Sequence, residues 1–309
     1  MSSNVVVSPA RPAEYPAACR ALFAHLPAVD RIARVDRALA LIANGEIDPT
    51  GLLVARDMPG ADVLVGAMLV QHLPGSAASV WVPRAVSGPN QRAVEDALAR
   101  AAVARLRAGG ARYAQSFLKP EERLPARALE LVGFRFLTQL AFLIRDLTPE
   151  DARPNFDAPV RFVTYSAIGP NLFADVLLAT YEDSRDCPEL NGTRSASEIV
   201  AEYRTEAPSP PPWWLVEAGD GGPVGVVILS PKDGTGVWDL SYLGLIPRAR
   251  DRGWGKHLLR YAVARASLAG AVYLNLSADA RNEPALRLYQ GHGFRQYDLQ
   301  DVFWWRGAG

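Results

Sequence analysis

Arg250, Gly253 and Gly255 form an R-x-x-G-x-G segment between an apolar run that ends at Pro247 and the stretch KHLLRYAVARA, which reads as an amphipathic helix. A helix N-terminus presents free N–H groups and the positive end of a dipole, and glycines let backbone approach an oxyanion closely. The segment Arg250, Asp251, Arg252, Gly253, Trp254, Gly255 and Lys256 is therefore expected to hold phosphate, the alternative being a glycine pair that only caps a helix. Two other phosphate loops fail on spacing. The dinucleotide fingerprint needs a small residue where Leu258 stands, and a P-loop needs Gly at 250 and Ser or Thr at 257, where Arg and His occur. No G-x-S-x-G elbow is present, and His25, His72, His257 and His292 lack metal-ligand spacing, so no metal is expected.

Downstream, Asn282, Ala285, Tyr289, Gly293 and Phe294 follow the spacing N-x-x-A-x-x-x-Y-x-x-x-G-F. With the glycine loop, this resembles the GCN5-related N-acetyltransferase (GNAT) family, most strongly over about 213–296. The resemblance implies acetyl-coenzyme A as donor. Its pyrophosphate would lie on Arg250–Gly255 and its pantetheine arm between splayed strands near 243–246 and 274–277, with Leu245, Ile246, Asn282 and Ala285 in the binding set. It also implies an amine acceptor and a Leu245 N–H facing the developing oxyanion.

Acyl transfer to an amine needs a neutral nucleophile, oxyanion stabilisation and a proton for the departing thiolate. Tyr289, near the sulfur by resemblance, is the natural acid, since a phenol donates while neutral at pH 7; its alternative is plain packing in a short helix. Asp239, five residues before Gly244, is the candidate base, directly or through water; an ordinary strand carboxylate is the alternative. The segment 181–195 carries Asp183, Asp186 and Glu189. In the family this region lines the acceptor cleft, where carboxylates favour a cationic amine, although the residues themselves favour a solvated acidic loop. Cys187 reads as a small packing residue.

The elements that must position these residues are legible through an internal repeat. AVAR at 102–105 recurs at 262–265, and in the same 160-residue register Gly110, Tyr113 and Gly133-Phe134-Arg135 match Gly270, Tyr273 and Gly293-Phe294-Arg295. VPRAV at 82–86 resembles IPRAR at 246–250 four residues out of that register. Each copy reads as strands separated by Gly, Asp and Pro turns, a long helix, a strand, a short helix and closing strands, the second ending in an expected pair within 294–305. The predicted class is α/β: two tandem GNAT-like domains, each a mixed, mostly antiparallel sheet flanked by helices. The expected boundaries are 1–146 and 159–309, with the polar, proline-containing 147–158 as linker. This tandem layout resembles that of the mycothiol synthase family.

The first copy lacks the machinery. It has SGPNQRAVED where the glycine loop should be, with Glu95 and Asp96 bringing negative charge, while Leu129, Glu122 and Pro125 stand for Tyr289, Asn282 and Ala285. The second copy is thus expected to be catalytic and the first degenerate. A non-catalytic coenzyme A sensor or scaffold is the alternative.

Composition narrows the rest. Lys plus Arg and Asp plus Glu both number 33, which argues against a nucleic-acid partner. Two cysteines in 309 residues build no disulfide framework, and no run of about 18 apolar residues suggests a membrane span. A cytoplasmic monomer or homodimer is expected.

Overall fold

The computed structural model describes residues 4–58, 63–73, 75–86, 88–152, 159–192, 195–205, 207–219, 221–232 and 234–307. In chain order the elements are β1 (Asn4–Pro9), α1 (Tyr15–Leu22), α2 (Ala28–Ala43), β2 (Leu52–Met58), β3 (Val63–Leu73), β4 (Ala77–Val80), β5 (Arg84–Ala85), α3 (Gln91–Ala108), β6 (Tyr113–Leu118), α4 (Arg123–Leu131) and β7 (Arg135–Asp146). They continue with β8 (Val160–Thr164), α5 (Tyr165–Ile168), α6 (Pro170–Ala179), α7 (Ala196–Thr205), β9 (Trp213–Ala218), β10 (Pro223–Lys232), β11 (Val237–Leu245), α8 (Gly255–Leu268), β12 (Tyr273–Asp279), α9 (Glu283–Gln290) and β13 (Arg295–Arg306).

Two compact units result. One comprises Met1–Leu137 with Asp301–Gly309, the other Thr138–Gln300. The first unit's sheet runs β1-β2-β3-β4-β6 and closes on the Asp301–Arg306 half of β13. The second runs β8-β9-β10-β11-β12 and closes on the Thr138–Asp146 part of β7. In both, every neighbouring pair is antiparallel except one, β4 with β6 and β11 with β12. The order is thus the same twice, with the closing strands exchanged.

The sequence expectation of two mixed α/β repeats matches this architecture; the boundaries at 146 and 159 differ from it because each closing strand pairs in the other copy's sheet. Of the expected linker, 153–158 lies outside the described residues. The closing pair expected within 294–305 is one strand. FRQYDLQDVFWW holds no Gly, Pro or Asn to turn the chain, and the strand instead runs on into a second sheet.

The second unit's core explains its elements. Leu258, Leu259, Ala262, Val263 and Ala266 recur on one face of α8 and are buried against Val226, Ile228 and Leu274 in a single cluster. Trp213 and Phe173 are fully buried and stacked at 5.8 Å, so the tryptophans after PSPPP serve the core. Ser195 opens α7 through a capping box: its hydroxyl accepts the Glu198 N–H at 3.3 Å and the Glu198 carboxylate accepts the Ser195 N–H at 2.8 Å.

Candidate active site

The glycine loop connects β11 to α8 and has unusual backbone. Asp251 (φ +59°) and Gly253 (φ +71°) both adopt left-handed conformations, so successive N–H groups turn toward one side of the loop. The Arg250 N–H donates to Pro247 O at 3.1 Å and the His257 N–H to Trp254 O at 2.9 Å. Between them, the N–H groups from Asp251 to Lys256 find no acceptor among the described residues. At Gly255 a Cβ would stand 3.3 Å from Leu288 Cδ2, so the loop packs closely on α9.

Arg250 itself has another task. Its guanidinium donates to the carbonyls of Leu245 (3.1 Å), Thr180 (3.0 Å), Glu182 (2.6 Å) and Asp183 (3.0 Å). A cation at the C-terminal end of α6 satisfies carbonyls that the helix cannot, and it pins the loop to the segment after α6. Thus its side chain is committed to protein, and an anion here would meet backbone.

The parallel strands beside the loop part company. β11 and β12 pair only through Val237–Asp239 and Tyr273–Asn275. Beyond that point the facing edges carry N–H donors that are not paired between the two strands. Ile246 N–H donates to Val224 O, so by antiparallel alternation the N–H groups of Leu243 and Leu245 point away from β10 toward the opening. Ala280 N–H donates to Gln139 O, which by the same alternation turns the Asp279 N–H into the opening from the other side. Asn275 Oδ1, where the strands separate, is buried with no partner among the described residues.

A cluster of polar groups gathers around the buried Asp279 on the β12 side. The Asp279 N–H donates to Asp186 Oδ1 at 2.8 Å, and the wholly buried Asp279 carboxylate accepts from Thr138 Oγ1 (2.8 Å), Cys187 N–H (3.1 Å) and Arg281 (2.7 Å at Oδ2). Burial alone would raise the Asp279 pKa. The Arg281 side chain and N–H, with Thr138 and Cys187, outweigh it and hold the carboxyl below its usual range. Asp186 is pushed up, first by burial and then by Asp279. Arg281 also takes Glu189 in a bidentate pair (2.6 and 2.9 Å), which lowers the Glu189 pKa.

The three expected acceptor carboxylates are therefore not alike. Glu189 is charge-matched by Arg281, Asp186 accepts a backbone N–H, and Asp183 is exposed in a left-handed turn (φ +51°) whose carbonyl receives Arg250. Burial also drives the Cys187 thiol far up, which suits packing. Sequence reasoning missed Thr138, Asp279 and Arg281, whose partners lie 141 and 92 residues away in the chain.

Tyr289 sits on α9 in contact with Phe294, ring centroids 5.9 Å apart. Burial, then the charge of nearby Asp186, pushes its phenol far above the ordinary value and keeps it protonated. Tyr242, on β11, is similarly raised by burial; its hydroxyl lies 2.8 Å from Thr180 Oγ1. Asn282 caps α9, its Oδ1 accepting the Ala285 N–H at 3.4 Å. Asp239 lies at the last paired position of β11, where the cleft begins, and pairs with Lys232 Nζ at 3.0 Å.

Residues 177–294 match the model of the acetyltransferase (GNAT) family. The matched residues lie wholly within the second unit. No curated protein matches the chain. Among solved structures, a GCN5-related N-acetyltransferase from Sphaerobacter thermophilus is similar at 16% identity and TM-score 0.65, with 99% of this chain and 96% of that one covered. A tandem GNAT protein from the clavulanic acid biosynthesis pathway covers 99% of this chain and 100% of its own, at 16% identity and TM-score 0.56. A putative acetyltransferase from Pyrococcus horikoshii covers 100% and 91%, at 14% identity and TM-score 0.51. At such identities the likeness is one of fold, and it extends over both units. Among the described residues no helix is long and apolar enough to cross a membrane, and no group of three or more His, Cys, Asp or Glu could hold a metal ion.

Proposed function

We propose that the GNAT domain is an acyl-coenzyme A-dependent N-acyltransferase that moves an acetyl group from acetyl-coenzyme A to an amine of a small molecule or peptide, and that the first unit does not perform this reaction. The observation that carries the reading is the row of unsatisfied N–H groups from Asp251 to Lys256, placed at the mouth of a cleft between parted strands. Such a row accommodates a pyrophosphate without any change of backbone, and the unpaired edge of β11 offers an extended amide chain the hydrogen bonds that β12 has relinquished.

The bound thioester supplies an acyl carbon open to attack by an amine. The Leu245 N–H, aimed into the cleft, donates to the oxygen on which charge develops, with the Leu243 N–H on the same edge. Tyr289 holds its proton until the thiolate leaves, because burial makes the phenolate costly. Asp239 receives the amine's proton, directly or through a water, from its position at the apex of the cleft, and Lys232 beside it compensates the carboxylate between turnovers. A buried, protonated phenol in this place favours an enzyme over a coenzyme A sensor, since binding alone has no use for a proton donor. Calorimetry with acetyl-coenzyme A followed by thiol release across an amine panel tests the proposal. Tight donor binding with no thiol release above the hydrolytic background on any amine would leave the sensor.

A further inference from the structure

The reaction just described makes no use of a cavity of about 340 Å³ in the first unit, lined among others by His25, Arg84, Gln91, Glu95, Glu122 and Pro125. The repeat sets this cavity on the place of the second unit's donor cleft. In the 160-residue register Glu95 stands for Gly255, Glu122 for Asn282 and Pro125 for Ala285. The backbone has changed with them. Helix α3 begins at Gln91, the counterpart of Asp251, whereas α8 begins only at Gly255. A helical turn, with Val94 N–H on Asn90 O at 3.0 Å, therefore replaces the loop of outward N–H groups.

The charges inside are of the opposite kind to a phosphate site. Arg84 is consumed by its ion pair with Glu122. Glu95 is only 2% exposed; its carboxylate accepts from the Gln91 amide at 3.1 Å, burial raises its pKa, and it makes no ion pair among the described residues. Burial and then the charge of Arg84 lower the pKa of His25, another lining residue. Three carboxylates, Glu95, Glu121 and Glu122, thus face two guanidiniums, Arg84 and Arg123, and the uncompensated charge sits deepest. A carboxylate as buried as that of Glu95 gains most from a ligand that brings both a positive charge and N–H donors.

We propose that this cavity is a binding site for a small cationic amine, its ammonium against Glu95, and that coenzyme A is not its ligand. The site is independent of the acyl-transfer reading, because the Gly255→Glu variant, which closes the second unit's donor loop, leaves it untouched.

Hydrogen–deuterium exchange of the full chain tests the proposal, with 1,4-diaminobutane as probe and 1,4-butanediol and free coenzyme A as controls. The diamine should slow exchange in peptides spanning 84–96 and 119–126, both in the native chain and in Gly255→Glu. The uncharged diol and coenzyme A should leave those peptides unchanged. Glu95→Gln keeps size and shape and should weaken half-saturation by about tenfold or more, the loss of one charge-assisted hydrogen bond. Equal protection by diol and diamine, protection by coenzyme A, no protection at all, or undiminished affinity in Glu95→Gln would each overturn the assignment. The comparison of diamine with diol uses only the native chain, so it decides the matter even if the variant misfolds.

Discussion

The two units part their central parallel strands at the same place. β4 and β6 pair through Ala77–Ser79 and Tyr113–Gln115, and β11 and β12 through Val237–Asp239 and Tyr273–Asn275, each residue 160 positions from its counterpart. The lining differs. Where the second unit turns bare N–H groups outward at Gly253 and Gly255, the first has a helical turn carrying Glu95, and where the second has the phenol of Tyr289 the first has the buried Leu129. The cleft is a product of the core, which both copies retain; the proposed chemistry rests on a handful of positions whose residue types differ between the copies. On the proposed reading, the first copy has lost the reaction while keeping its shape.

The most severe way to test this comparison is to give the second unit the first unit's residue. Gly255→Glu puts a side chain toward Leu288 and a negative charge into the N–H row, and coenzyme A binding should fall below detection by calorimetry while the melting transition persists. Native affinity in this variant would break the assignment of the loop. The native chain should bind one coenzyme A; two equivalent sites would show that the first unit has lost nothing.

A smaller effect is expected from Tyr289→Phe, which removes the hydroxyl and keeps the ring against Phe294. Turnover should drop by about 10²–10⁴-fold, the usual worth of a general acid, with donor affinity preserved. Because burial raises the phenol's pKa, the native enzyme should show no alkaline loss from this group until well above the ordinary tyrosine range. Full turnover in the variant, with chemistry limiting, would pass the proton to another donor.

In the first unit, charge should serve structure. Hydrogen bonds from Arg11 and then Arg56 lower the Glu14 pKa to about 2. Its folded pKa is depressed, so its stabilisation is present above the ordinary carboxylate range and is lost as pH falls toward 2. Glu14→Gln should cost about 1–3 kcal/mol in urea unfolding near neutral pH, and the difference from native should shrink in acid. A pH-independent difference would mean that the charge of Glu14 contributes nothing.

The smallest effect concerns the acceptor loop. Since Arg281 already matches Glu189, Asp183→Asn with Glu189→Gln should change the acceptor KM by less than about threefold, with little change in its salt dependence. A steep salt dependence that the double variant abolishes would return these carboxylates to the acceptor.

Much of the site was legible because it depends on local pattern. The glycine loop, the Asn282–Phe294 block and the repeat are short-range signals, and each takes up the backbone its residues suggest. What was not legible depends on long-range partners. Nothing near Arg250 announces that its side chain reaches carbonyls 67 to 70 residues away, and nothing near Asp279 names Thr138. The exchange of closing strands is hidden for a deeper reason. Two copies of one strand pattern satisfy either sheet equally well on paper, and only the packing of Phe303 and Trp305 with Phe134 and Leu118 shows which sheet takes β13.

That exchange dictates the order in which the molecule can be made. During synthesis the first unit emerges first, yet its sheet keeps an open edge at β6 until residues 301–306 have been translated. Its own sequence-adjacent strand, β7, must meanwhile await β12, more than a hundred residues later. Nascent chains therefore carry unpaired β edges for most of their elongation, the state in which sheets most readily capture one another, and a premature stop just before Asp301 would harm the amino-terminal half rather than the half in which it falls.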